Sequence, residues 1–537
     1  MLPHQSSYET MYRQFRWRIP KHYNIGVDIC DKWAGDANRV ALIYQSRDGD
    51  VRRYTFSQIE RLSNRTAHLL RSQGVVRGDR VAILLPQAPE TAIAHVAVYK
   101  AGAIAVPLFT LFGVDALQYR LADSGAGLLI TDAASASKIA EIRDALPDLH
   151  AVYCIDERVD GCSLFHDAIE LCSEQFEPVD TDADDPALII YTSGTTGKPK
   201  GALHAHRSLL GHLPGVEMSH DLLPCPGDVM WTPADWAWIG GLMDVLMPAW
   251  HHGLPVLAHR FEKFDPEAAF ALMAQHGVRN AFIPPTALKM MRTVTNPGER
   301  WHLQLRSLGS GGESLGVELL DWGRETFGVA INEFYGQTEC NMVLSSCSAL
   351  FPAQPGAIGK AAPGHDVRIV DDHGDVVPEG RIGNIAIRRP DPVMFIGYWN
   401  NDQATREKYV GDWLLTGDMG MSHSAGYIQF VGRNDDVITS AGYRIGPGPI
   451  EDCLLTHPAV QLAAVVGIPD PQRTEVVKAF IVLKSGFLAS ERLKRELQDH
   501  VKVRLAAHEY PREVAFVDAL PMTTTGKIIR RELRARG

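Results

Sequence analysis

Hydrophobic and polar positions along this chain switch repeatedly between helical and strand spacing. Ile59, Leu62, Leu69 and Leu70 recur at helical intervals behind Thr55 and Ser57, either of which can cap a first turn, and Gly74 closes the run. An apolar stretch at 81–85 then reads as a buried strand. A helix through 92–100 stops at Gly102, and 103–106 reads as a second strand. Strand, helix and strand in that order imply parallel pairing. A strand at 127–131 and a helix near 134–146 continue the theme. Residues 1–50 are mixed, with Tyr12, Phe15, Trp17 and Arg18 among them, and are expected to pack on the main body as a lead-in.

Beyond the midpoint, Asp265-Pro-Glu starts a helix with proline in its first turn, and Gly277 ends it. An alternating strand from Val367 is expected to pair antiparallel with 383–387, forming a small subdomain. Turn-rich, charged stretches at 412–418 and 432–438 place a domain boundary between Arg433 and Asp436. Past it, strands at 463–467, 477–483 and 513–516 and a helix near 490–504 make a compact α+β lobe of about 100 residues. A chain of 537 residues is too long for one core, so at least two domains are expected.

Composition narrows the function classes. Apolar residues make up 45% and charged residues 22%, which is ordinary for a globular protein. A net charge of −11 with no basic block argues against nucleic-acid binding. The eight cysteines form no Cys-x-x-Cys pair and read as reduced thiols in a cytoplasmic protein. No apolar run is long enough for a membrane span, and the N-terminus lacks the basic-then-apolar layout of a signal peptide.

The stretch richest in chemistry is 191–201, Tyr-Thr-Ser-Gly-Thr-Thr-Gly-Lys-Pro-Lys-Gly, directly after the apolar run 187–190. A strand feeding glycines, hydroxyls and lysines suits a polyphosphate. The spacing is not that of a Walker A loop, because two residues separate Gly194 from Gly197 and Pro199 follows Lys198. Other candidates are weaker singly. Trp236, Trp238, Ile239 and Gly240 suit a pocket wall or aromatic core packing equally. The turn ending at Gly312 and Glu313 fails the dinucleotide pattern because Ser314 replaces its last glycine. Residues 333–339, Glu-Phe-Tyr-Gly-Gln-Thr-Glu, read as a polar strand end, and Lys527 as a basic tail or a mobile catalytic lysine. His204, His206, His251 and His252 lack metal-ligand spacing and read as structural.

Together and in order, these motifs resemble the adenylate-forming superfamily, and within it the AMP-forming acyl-CoA synthetases, closest to medium-chain and acetyl-CoA-synthetase-like members. The resemblance implies an α/β fold. A large N-terminal domain, 1–434, would hold doubly wound subdomains and a small β-barrel-like subdomain, followed by a small, mobile α+β domain, 435–537. It implies that a carboxylic acid is joined to ATP with release of pyrophosphate, then passed from AMP to coenzyme A, with Mg²⁺ present. By resemblance, Thr192, Ser193, Gly194, Thr195, Thr196 and Lys200 hold the β/γ-phosphates. Thr338 contacts the α-phosphate and Glu339 holds the metal. Gly312, Glu313 and Ser314 line the adenine pocket, with Tyr335 stacking on the base, Glu333 near its amine, and Gly336 and Gln337 alongside. Asp418 accepts the ribose hydroxyls beside Arg433. Lys527 bridges carboxylate and α-phosphate. Asp435 is the hinge about which the small domain turns, bringing Ser440, Gly442, Tyr443 and Arg444 toward coenzyme A.

Pro449 departs from the family pattern, at a helix start that tolerates it. Gly336 stands where acetate-specific relatives carry a pocket-closing tryptophan, and Gly240 is also small. With Trp236, Trp238 and Ile239, they imply an apolar acid larger than acetate: medium-chain, branched or cyclic/aromatic. Competing readings are transfer to a carrier-protein phosphopantetheine, a non-catalytic acyl-adenylate sensor, and a P-loop ATPase or kinase, which the loop spacing opposes. Expected partners are a small-molecule carboxylic acid and a lysine acyltransferase or deacylase acting on Lys527. A homodimer stays open.

Overall fold

The computed structural model describes every residue except 3–6, 193–197, 314, 355, 441–442, 471–472, 506–508, 523–527 and 537, with backbone alone at 439, 443 and 444. These residues build four sheets. In the eight-stranded sheet, parallel strands run in the order Pro186–Thr192, Ile104–Pro107, Arg80–Leu84, Leu128–Thr131, Ala151–Cys154 and Ser163–Leu164. In the nine-stranded sheet, six parallel strands carry antiparallel strands at both ends. One core joins Val81 and Ile83 of the first sheet to Leu42 and Val256 of the second through Ile93, Val96 and Leu213 of two helices. Those helices, Pro89–Lys100 and Ser208–Ser219, are apolar nearly all round and correspondingly buried nearly all round.

Local chemistry sets the element ends. Helix Phe56–Ser72 is capped by Thr55, whose side chain accepts from Gln58 N while the Gln58 side chain accepts the Thr55 N–H. Asp265 caps Pro266–Gln275 by accepting from two backbone N–H groups. One expectation is corrected: residues 40–55 are no mere lead-in. Val40–Gln45 pairs parallel with Val256–His259, and Val51–Thr55 folds back on it as the sheet edge. The lead-in proper is helix Tyr8–Gln14, held by hydroxyl bonds from Tyr8 to Ala361 O and from Tyr12 to His365 O.

The third sheet is antiparallel, pairing Val367 with Ile387 as expected. Its long strand Trp413–Ser422 lies between Ile382–Arg388 and Ile428–Arg433. The fourth sheet, in the C-terminal part, has five strands flanked by helices Pro447–Leu455, Glu491–Arg504 and Arg530–Arg534, with apolar clusters of its own.

Candidate active site

The site is organised by a hairpin, Ile331–Gln337 against Cys340–Ser345, whose turn carries Thr338 and Glu339. Side chains alternate along a strand, so Tyr335 and Gln337 share one face. Both donate to Asp418 Oδ2, at 2.6 and 2.7 Å. Asp418 stands on Trp413–Ser422 opposite Arg433 in the ladder. Burial raises its carboxyl above the ordinary range. The Tyr335 hydrogen bond and the nearby Arg433 charge work against that. Lys408 reaches Gln337 Oε1 at 3.5 Å and the Thr416 carbonyl at 3.2 Å. A buried carboxylate ringed by donors and cations is thus set one strand away from an aromatic ring.

At the turn, Glu339 is buried and accepts a hydrogen bond from the Tyr398 hydroxyl. Lys200 Nζ sits 4.9 Å from the centre of the same tyrosine ring, so Tyr398 links the foot of the glycine loop to the hairpin turn. Thr192 and Lys200 close that foot, with Thr192 Oγ1 donating to Lys200 O at 3.4 Å. Ser193, Gly194, Thr195 and Thr196 lie outside the described residues. Among the described residues, no group of three His, Cys, Asp or Glu side chains is placed to hold a metal. A buried carboxylate near the foot of the glycine loop nonetheless suits Mg²⁺, which takes one or two carboxylates and fills its remaining positions with phosphate oxygens and water.

On the opposite side, Gly312 adopts a positive φ of 101°, and Glu313 lies 3.7 Å from Lys289. Ser314 is outside the described residues. Burial pushes the Glu333 carboxyl up to about 7, and the charge of Asp452, from the C-terminal part, adds to the shift. Asp452 also approaches Gly316, so the two parts of the chain meet at this edge of the site.

The residues expected to form the acyl wall sit close together in the fold. Trp238 is half-buried and lies against Gly240, with Phe282 beyond at 5.8 Å between ring centres. Trp236 and Ile239 belong to the same buried cluster as Phe282, Trp236 with no exposure at all. Gly336 is hemmed in by its own hairpin. A Cβ there would lie 2.5 Å from Asn341 Cα and nearer still to Met342 N, so the hairpin backbone itself excludes a side chain.

Asp435 is exposed and pairs with Arg433 at 3.2 Å. The adjoining Asp436 is buried and takes Arg534 at 2.7 Å. Ser440 is buried on strand Ile438–Ser440. Gly442, Lys527 and the side chains of Tyr443 and Arg444 lie outside the described residues. The four histidines separate: His251 meets Asp28, His252 meets Glu217, and His206 accepts from Ile25 N. Burial drives His204 down to about 3. Sequence reading missed Tyr398, Lys408 and Asp452, which stand in no motif and meet the site only through the fold.

Comparison with known proteins places the whole chain. The AMP-binding enzyme family model matches residues 30–399, and the AMP-binding enzyme C-terminal domain model matches 449–527. The mitochondrial acyl-coenzyme A synthetase ACSM4 of Rattus norvegicus is 36% identical over 96% of this chain and 91% of its own. The acetyl-coenzyme A synthetase of Bacillus subtilis (strain 168) is 35% identical over 98% and 95%. The crystal structure of the anthranilate CoA ligase AuaEII with anthranoyl-AMP superposes with a TM-score of 0.87, at 31% identity over 96% of this chain and 98% of that one. The chain therefore belongs to the AMP-binding enzyme family, and within it to the ATP-dependent acyl-CoA synthetases, acid–thiol ligases that use ATP, Mg²⁺ and coenzyme A.

Proposed function

We propose that this enzyme activates a medium-chain, branched or cyclic/aromatic carboxylic acid larger than acetate. The carboxylate oxygen attacks the α-phosphorus of ATP, the bond to the β-phosphate breaks, and pyrophosphate leaves. The thiol of coenzyme A then attacks the acyl carbon and AMP leaves. The observation that carries this is the convergence on one hairpin of Asp418, held by Tyr335 and Gln337, with Glu339, tied through Tyr398 to Lys200. Such fixed charges act where phosphate charge develops.

In this reading Asp418 and Arg433 take the ribose, Tyr335 and residues 312–314 the adenine, and Thr338 the α-phosphate. Glu339 would hold Mg²⁺, which supplies charge neutralisation. Residues 192–196 and Lys200 take the outer phosphates. Lys527 serves the first half-reaction, and residues 440–444 the second, after a turn at Asp435 between domains 1–434 and 435–537. Trp238, Gly240 and Phe282 supply the acyl wall. Its aromatic character favours an apolar body, and the relatives named for acetate and anthranilate bracket the size range. Eight unpaired cysteines support a reducing, cytoplasmic setting, although relatives are named mitochondrial. Control by a lysine acyltransferase or deacylase at Lys527, and assembly as a homodimer, are further parts of the reading.

Pyrophosphate release with ATP and Mg²⁺ across a panel of acids, with and without coenzyme A, tests it. Release driven by acids larger than acetate, with thioester formed only when coenzyme A is present, is expected. Acid-dependent release without thioester would instead favour a carrier-protein acceptor. Preference for acetate would overturn the size assignment.

A further inference from the structure

A polar pair lies buried beside the acyl wall with no task in the chemistry described so far. Asp244 is 2% exposed and Asn341 5%. Asn341 Nδ2 donates to Asp244 Oδ1 at 2.7 Å, and among the described residues that is the only hydrogen bond made by the Asp244 side chain.

The fold says which way this pair faces. Asp244 lies on a π-helical turn, Leu242–Leu246, that continues from Ile239–Gly241, so it follows Gly240 by about one turn. Asn341 lies beside Gly336 on the hairpin, its Oδ1 2.5 Å from where a Cβ on Gly336 would stand. Strand alternation puts Tyr335 and Gln337 on the Asp418 face, and Phe334 and Gly336 on the other. That other face carries the aromatic row: Phe334 packs on Phe282 at 5.0 Å, and Phe282 on Trp238. Asp244 and Asn341 therefore close the acyl side of the site, not the nucleotide side.

A carboxyl buried with a single amide partner is unfavourable where leucine would fill the space, and such breaches of local rules concentrate at functional positions. Among the described residues no cation pairs with Asp244, and burial lifts its carboxyl well above the ordinary range, with the Asn341 bond opposing. Asp244 keeps an oxygen that Asn341 does not reach, and the Asn341 carbonyl adds an acceptor. That inventory matches a hydroxyl. An ammonium would need the carboxylate ionised in apolar surroundings.

Resting on the acyl-CoA synthetase reading of this same site, we infer that Asp244 and Asn341 are specificity-determining residues that select acids bearing a hydroxyl at the end remote from the reacting carboxylate. Asn341 follows the turn residue Glu339 by two positions, so the space between the reacting end and the pair is short. It suits a medium-length chain or the para position of an aromatic ring.

The test compares kcat/KM for pyrophosphate release between matched acids: unsubstituted, terminally hydroxylated and terminally aminated, in medium-chain and para-substituted aromatic series. Wild type is expected to favour the hydroxylated member at least tenfold. The double variant Asp244→Leu with Asn341→Leu is expected to reverse that order. Circular dichroism checks its folding, and Asp244→Asn, which keeps shape and volume, reads the same ratio should the double variant fail to fold. No preference for the hydroxylated acids in wild type, or a ratio unmoved in the variants, makes the pair a mere buried contact and overturns the inference. Preference for the aminated acids overturns the hydroxyl assignment. Absence of release with every acid removes the synthetase reading, and this inference with it, a result separable from activity without discrimination.

Discussion

Tyr398 has a consequence that its position in the chain does not suggest. Its hydroxyl is the one side-chain donor to Glu339 among the described residues, and its ring faces the Lys200 ammonium. Without that bond a buried carboxylate is left with too few donors, which costs on the order of 1.5 kcal/mol, or roughly tenfold in an equilibrium. Tyr398→Phe keeps the ring, and with it the Lys200 contact, while releasing Glu339. Because the bond also fixes the direction of the carboxylate, we expect about a tenfold rise in the Mg²⁺ concentration that half-saturates pyrophosphate release, with a loss of stability of the same order. Calorimetric titration of ATP at several Mg²⁺ concentrations gives a second readout. An unaltered Mg²⁺ dependence would show that Glu339 is positioned by its backbone alone, through the Phe395 N–H bond to its carbonyl at 2.9 Å.

Elements are held to one another in the C-terminal part by arginines on its last helix. Arg530 forks onto both oxygens of Glu451, at 2.8 and 2.7 Å, and Arg534 reaches the Asp435 carbonyl and the Asp436 carboxylate. Helix Arg530–Arg534 is thereby tied to helix Pro447–Leu455 and to the segment beside the expected hinge. Arg530→Met removes the fork but keeps the stem volume. It is expected to cost about 2–3 kcal/mol, since a largely buried carboxylate is left unpaired, and hydrogen exchange should quicken in 436–455. Exchange confined to the last helix would show that the fork does not brace its neighbours. Elements of this kind divide into those legible in the sequence and those not. Helix Phe56–Ser72 and the Val367–Ile387 pairing were legible because cap, period and turn are written within one segment. The Val40–Gln45 strand escaped because its partner lies more than 200 residues on. Tyr398 and Asp244 escaped because each acquires a role only from a residue across the fold, at Glu339 and Asn341. Trp236 and Gly336 were read from residue type alone, and the fold adds what the sequence does not show: one is buried in the main core and the other is pressed against the hairpin backbone.

At the scale of the whole molecule, the N- and C-terminal parts meet across a cluster of acids. Burial holds Asp452 up to about 6, with Glu451 and Glu318 adding to the shift against Lys289. Glu333, facing it, is held up to about 7 by burial first and by Asp452 second. Both values lie above those of the unfolded chain, so across this range the folded state carries protons that the unfolded state has released. Stability then falls as pH rises: the contribution is whole near pH 4, erodes through about 6 at Asp452, and is gone above about 7 at Glu333. For Glu333 the ionised fold loses on the order of 2 kcal/mol once its partial solvent contact is allowed for. Glu333→Gln should therefore flatten the decline in unfolding free energy between pH 5 and 8. Asp452→Asn should flatten part of it and also lower the pH at which Glu333 ionises. Urea unfolding at stepped pH reads both slopes. Parallel slopes in wild type and Glu333→Gln would mean that the two carboxyls do not meet in solution, and that the contact between Asp452 and the Gly316 turn opens there. If the slopes do separate, alkaline pH favours parting of the two halves at the adenine edge of the site, where the fold has set like charges against each other.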